Sequence, residues 1–205
     1  MKQIERQAHG FIFQNWVIGK FLDMAYTAKW DIPAKINPMT NKNISIKTAQ
    51  WKSSVGLGDA LNQFGIDEDF EMLVAFYVQN DNRKLVVNMQ SVEISKEKWR
   101  ELWGNMTREK LVELQNFIKS KKGRGLKGAE LDEFRELVQG KKKELLADYD
   151  GKLSLNPKID SGVQRRLQCS ISFNILFEEF NLDKNVMETY RLWKEDIDLR
   201  SVKLE

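Results

Sequence analysis

Trp30-Asp31-Ile32-Pro33, and then Ile44-Ser45-Ile46-Lys47-Thr48-Ala49, decide how this chain is read. The first stretch is short and apolar around its acid. The second alternates with period two, so Ser45 and Lys47 share one face of a strand. Two strands, near 29–33 and 43–49, are joined by a loop holding Pro38 and several asparagines. An acid on one strand and a lysine on its neighbour then converge at one edge. A carboxylate there suits a hard cation such as Mg²⁺, bound through oxygen. An ammonium beside it suits the orientation of an attacking water and offsets charge at a phosphodiester.

Working outward, residues 2–26 predict a long amphipathic helix, with Ile4, Ala8, Phe11, Ile18 and Leu22 near one stripe. Residues 56–65, GLGDALNQFG, predict a helix ended by Gly65. Phe70–Gln79 is dense in apolar residues and predicts a buried strand. Asn80-Asp81-Asn82 makes a turn before a second strand over Lys84–Ile94. From Ser95 the period changes, and helices are expected from Ser95, from Thr107 and over 129–147. The chain then returns to β character after Asp148-Tyr149-Asp150-Gly151 and ends in an expected helix around Lys184–Glu195. The fold class is therefore α/β of the α+β kind: a mixed central β-sheet flanked by helices, a helical insert and a β-rich C-terminal part. One domain over 1–205 is expected, divided as 1–94, 95–150 and 151–205.

Composition narrows the chemistry. At 205 residues, 41% hydrophobic and 31% charged, the chain can bury one sizeable core. No apolar run is long enough to span a membrane, and the opening MKQIERQAHG lacks signal-peptide architecture. The single cysteine, Cys169, excludes an internal disulfide and a cysteine-rich zinc site, and predicts a cytoplasmic setting. His9 is the only histidine, which excludes two-histidine metal motifs. There is no GxSxG elbow and no GxxxxGK[ST] loop, and Gly56-Leu57-Gly58 lacks the third glycine of a dinucleotide fingerprint. Net charge is only +3. Five cations and no acid fall within Lys119–Lys127, including Lys121, Lys122 and Arg124, so this glycine-broken loop could neutralise phosphates or simply be solvated.

A helix, then strands bearing D…SxK, then a helix and more strands resembles the PD-(D/E)xK nuclease core. The series HGFIFQNWV…KWDIP…ISIKTA is most similar to a type II restriction endonuclease. The resemblance covers residues 1–94 well and the remainder loosely. It departs from the family pattern twice: Trp30 precedes Asp31 in place of proline, and Ser45 stands where the second carboxylate is usual. In a subgroup with serine there, the displaced acid comes from the following helix, a dozen or so residues past the lysine. Asp59 lies twelve residues after Lys47. The resemblance thus implies Asp31, Lys47 and Asp59 as the working set around Mg²⁺, with Ser45 lining the site. It further implies a metal-proximal residue on the opening helix, for which Glu5 has the charge and Gln14 the placement.

A second alternation runs from Leu167 to Ile175: Leu167, Cys169, Ile171, Phe173 and Ile175 face one way, Arg166, Gln168, Ser170, Ser172 and Asn174 the other. Arginine and glutamine make bidentate contacts with base edges in the major groove. Lys158, Gln164, Arg165, Arg166 and Gln168 are therefore the expected DNA-facing residues, against the alternative of an ordinary half-exposed strand. Trp51 and Met39, in polar loops, are candidate wedges between bases. The expected function is Mg²⁺-dependent, sequence-specific cleavage of double-stranded DNA by a homodimer. The alternatives are a structure-specific repair nuclease and a non-catalytic nucleic-acid-binding module.

Overall fold

The apolar runs on either side of Asn80-Asp81-Asn82 form a long antiparallel pair in the computed structural model. The structure describes residues 14, 17, 30–37, 40–80, 83–121, 125–160, 164–185, 190–192 and 195–197. After a 3-10 turn at Ala34–Ile36 come β1 (Asn43–Gln50), β2 (Val55–Asp59), α1 (Ala60–Phe64), β3 (Phe70–Asn80) and β4 (Arg83–Ile94). Then follow α2 (Lys96–Trp103), α3 (Arg108–Lys119) and α4 (Gly128–Leu145). The last elements are β5 (Leu153–Ile159), β6 (Arg165–Ile171), α5 (Phe173–Glu179), β7 (Tyr190–Leu192) and β8 (Glu195–Ile197). The architecture is mixed α+β. Among the described residues no helix is long and apolar enough to cross a membrane.

The chain divides into two units whose boundaries are not those expected near 94 and 150. One takes in 1–55, 68–96 and 172–205; the other takes in 56–67 and 97–171. In the first, β1 lies parallel to β3 and β3 antiparallel to β4, a mixed sheet in the order β1-β3-β4. Register sets Ser45 beside Met72 and Lys47 beside Val74, with Gln90 next in that row. Ile44, Ile46, Phe70, Leu73, Phe76 and Met89 are buried around it. Each such side chain contributes roughly 1.5–3 kcal/mol on leaving water. Phe173 and Phe177 of α5 pack against Phe76 at ring distances of 5.3 and 5.6 Å.

The second unit joins α1–α4 to the sheet β2-β6-β5. Its core holds Trp99, Leu102, Leu111, Leu114, Phe134 and Leu167. Trp99 Nε1 donates to the Gln63 carbonyl at 2.8 Å, tying α2 to α1. Thr107 caps α3 by accepting from Lys110 N at 3.3 Å.

Four expected elements change. The strand at 29–33 shrinks to one bridge, Ile32 to Ile44, because Pro33 has no N–H to extend the ladder and leads into the 3-10 turn. The helix over 56–65 is confined to Ala60–Phe64. Gly56 and Gly58 are poor helix formers, Gly58 sits at φ +110, and Asp59 caps the helix that follows. The alternating strand stops at Ile171, since the Ser172 hydroxyl accepts from Ile175 N at 3.2 Å and starts α5. The helix expected over 184–195 gives way to the antiparallel β7–β8 ladder, with Tyr190 in register with Ile197. Of the opening helix only Gln14 and Val17 lie among the described residues, both helical.

Candidate functional site

Asp31 is held from both sides in sequence. On one side the Trp30 ring is buried against Phe70, with centroids 5.2 Å apart, and its Nε1 donates to Glu68 at 3.2 Å. On the other, Ile32 exchanges two backbone hydrogen bonds with Ile44, at 3.1 and 2.8 Å. Alternate N–H groups of a strand point to the same edge, so the N–H of Ile46 follows that of Ile44 along β1. The ladder ends before it, and the Asp31 carboxylate takes the vacant rung: Oδ2 accepts from Ile46 N at 2.5 Å. The short first strand therefore places its acid directly beside β1.

Lys47 lies one residue further along. Its Nζ is 3.9 Å from Asp31 Oδ2, with the side chains 19% and 14% exposed. Gln14 reaches in from the opening segment, its Nε2 donating to Asp31 Oδ1 at 2.5 Å. Ser45 is buried, and its hydroxyl favours the ionised form of the Asp31 carboxyl. Burial pushes the Asp31 carboxyl above its ordinary range. The Lys47 charge, the Ile46 N–H, Ser45 and Gln14 pull against that without cancelling it. A buried anion whose cost exceeds the help of its neighbours is a common mark of a site built for chemistry.

The structure thus brings together Asp31, Ser45, Lys47 and Gln14. Glu5, the alternative to Gln14, lies outside the described residues. Asp59 falls in the other unit, where its Oδ1 accepts from Asn62 N at 3.0 Å as the cap of α1. No cluster of three or more His, Cys, Asp or Glu among the described residues could hold a metal. A magnesium ion, however, usually takes one or two carboxylates and fills its octahedron with water and substrate oxygens. The Asp31 carboxylate retains lone pairs beyond its present bonds, and a divalent cation would relieve the penalty that raises its pKa. The Gln14 amide, turned over, would offer a second oxygen. The donor set fits such an ion.

Two buried amides, Asn88 and Gln90, two residues apart on β4, were not anticipated as part of this region. Gln90 lies in the row of Lys47 and donates to Asn88 Oδ1 at 3.0 Å and to the Asp183 carbonyl at 3.1 Å. The signal available in the sequence was a pair of amides, two residues apart, interrupting the apolar run that starts at Leu85.

The DNA-facing set divides. Lys158 is exposed, and Gln164, Arg166 and Gln168 are partly exposed. Arg165 is a correction: its side chain is 1% exposed. Its Nη1 donates to the carbonyls of Asp160 at 2.6 Å and Gln164 at 2.9 Å, and its guanidinium lies 5.8 Å from the Phe134 ring. The alternation explains this, because Arg165 stands two residues before buried Leu167 and shares its face. Trp51 is a second correction. It meets Phe76, Phe173 and Phe177 edge-on at 5.7, 4.9 and 6.2 Å, as part of an aromatic cluster rather than a free wedge. Lys121 holds its Nζ 5.3 Å from the Phe134 ring. Lys122, Arg124 and Met39 lie outside the described residues.

Compared with protein-family models, with curated proteins and with solved structures, the chain matches none.

Proposed function

We propose that this protein is a Mg²⁺-dependent endonuclease acting on double-stranded DNA, of the type II restriction kind that its D…SxK pattern resembles, with a restriction-endonuclease-like core around β1, β3 and β4. The observation that carries the reading is the half-buried Asp31 carboxylate with the Lys47 ammonium 3.9 Å away. Bound Mg²⁺ supplies Lewis-acid polarisation of a phosphate oxygen and a water of lowered pKa. Asp31, with the Gln14 amide turned over, would hold the ion. The backbone N–H of Ile46 and the Ser45 hydroxyl fix the carboxylate's orientation. Lys47 positions the attacking water and offsets the negative charge that grows on the phosphorane oxygens. With one such site among the described residues of each chain, cutting both strands calls for two copies related by a two-fold axis on a palindrome.

The test is incubation of the protein with long duplex DNA in Mg²⁺ and in chelator, with Lys47→Met in parallel. Discrete fragments are expected from the wild type in Mg²⁺ alone. Intact DNA across substrates of varied sequence, or equal cutting by Lys47→Met, rules the reading out.

A further inference from the structure

The two faces of the β2-β6-β5 sheet differ in kind. Leu153, Leu155, Leu167, Cys169 and Ile171 are buried on one. On the other, β5 offers Ser154, Asn156 and Lys158, and β6 offers Arg166 and Gln168, with Ser170 buried at the far end of that row. Val55 and Leu57 of β2 are buried, so its outward positions fall to Gly56 and Gly58. None of these outward positions carries an acid, in a chain with 30 aspartates and glutamates.

Three features of this face have no internal explanation. Register sets Lys158 directly opposite Arg166, a like-charge pair that weakens the ribbon. Among the described residues neither cation meets a carboxylate, and Arg166 Nε is buried without a hydrogen-bond partner. Finally, Gly56 is exposed, and a Cβ built on it would meet nothing within 4 Å. Packing therefore does not require glycine there. A bare edge strand of this sort instead suits the close approach of another molecule's backbone.

We infer that this face is the docking platform for the sugar–phosphate backbone of duplex DNA. The choice of duplex rests on the nuclease reading above. Lys158 and Arg166 grip phosphates, the exposed backbone around Gly56 is where the strand comes nearest, and Asn156 and Gln168 border it with neutral donors. Arg166 is thereby assigned to a phosphate rather than to a base edge. The binding it provides is salt-dependent and largely indifferent to sequence.

Fluorescence anisotropy of a labelled duplex tests this in chelator, where nothing is cut, with the full chain. The variants are Lys158→Gln/Arg166→Gln, Gly56→Leu and, as a control on an exposed cation outside this sheet, Lys143→Gln of α4. The double variant is expected to bind at least tenfold more weakly, with the log–log salt slope shallower by about 1.8, or about 0.9 for each phosphate no longer neutralised. Gly56→Leu is expected to lose about as much affinity with its thermal melt unchanged, since the added side chain projects into open space. Lys143→Gln should bind as the wild type does. The inference is overturned if the platform variants bind like the control, or if the wild type binds no duplex. Binding lost in the platform variants of a protein that never cleaves in Mg²⁺ supports the platform and removes the hydrolytic reading alone.

Discussion

Asp31 and Arg165 are both charged side chains drawn out of water, one in each unit, and they are accommodated in opposite ways. Asp31 collects donors on both oxygens and a cation at 3.9 Å, yet its carboxyl remains harder to ionise than usual. Arg165 has two backbone carbonyls on Nη1, Asp160 Oδ1 at 3.7 Å and the Phe134 ring, while Nε and Nη2 have no partner. The arginine closes the segment between β5 and β6, bonding the carbonyls at both of its ends. The aspartate closes nothing of comparable extent. Local strain on an acid beside a lysine points to chemistry, whereas a guanidinium tied to its own turn points to architecture.

Four measurements would break or sharpen that contrast. The largest effect is expected from Asp31→Ala, which should lower cleavage by about 10³-fold or more, roughly 4 kcal/mol in the barrier, while DNA binding in chelator survives. Retained cleavage would sink the assignment of the site. Next, Arg165→Ala should destabilise the fold by about 3 kcal/mol in a denaturant titration, through loss of a buried charge-assisted network. A stable variant with altered sequence preference would return Arg165 to the DNA-reading set. Asp59→Ala should cost about 1 kcal/mol as a lost helix cap, and Asp59→Ser should restore it. Cleavage by Asp59→Ser at the wild-type rate separates capping from metal binding.

The smallest effect concerns pH. The folded-state pKa of Asp31 lies above its unfolded value, so the stability it contributes is present in acid and lost as pH rises through that raised value. Asp31→Asn should therefore melt higher than the wild type at neutral pH in chelator. The gap should close as pH falls below the ordinary aspartate range. A gap that widens in acid would mean that the carboxylate is stabilised rather than penalised.

Much of the scaffold was legible from local pattern. The apolar runs around Asn80-Asp81-Asn82, the change of period after Ser95 and the helix opening at Thr107 each depend on residues within a few positions of one another. Errors came where two local signals competed. Gly56-Leu57-Gly58 begins a segment that ends as a helix, but glycine's low helical propensity and the Asp59 cap split it into strand and helix. The alternation through Ile175 was overridden by Ser172, whose cap lets Phe173 and Phe177 turn onto Phe76. Arg165 shows a signal present but not followed: strand parity already placed it with Leu167.

What the sequence determined alone is the identity and spacing of the groups: an acid before a proline, a lysine at a fixed phase of an alternating strand, and a polar face opposite Leu167 and Cys169. Periodicity settles such matters because neighbours along the backbone share one geometry. Only the tertiary structure decided that Gln14 closes on Asp31, that the carboxylate replaces a missing ladder rung at Ile46, and that Lys158 faces Arg166 beside bare glycine. Those meetings join residues far apart in the chain. They depend on how burial, hydrogen bonding and charge are balanced in the folded molecule, and no local pattern encodes that balance.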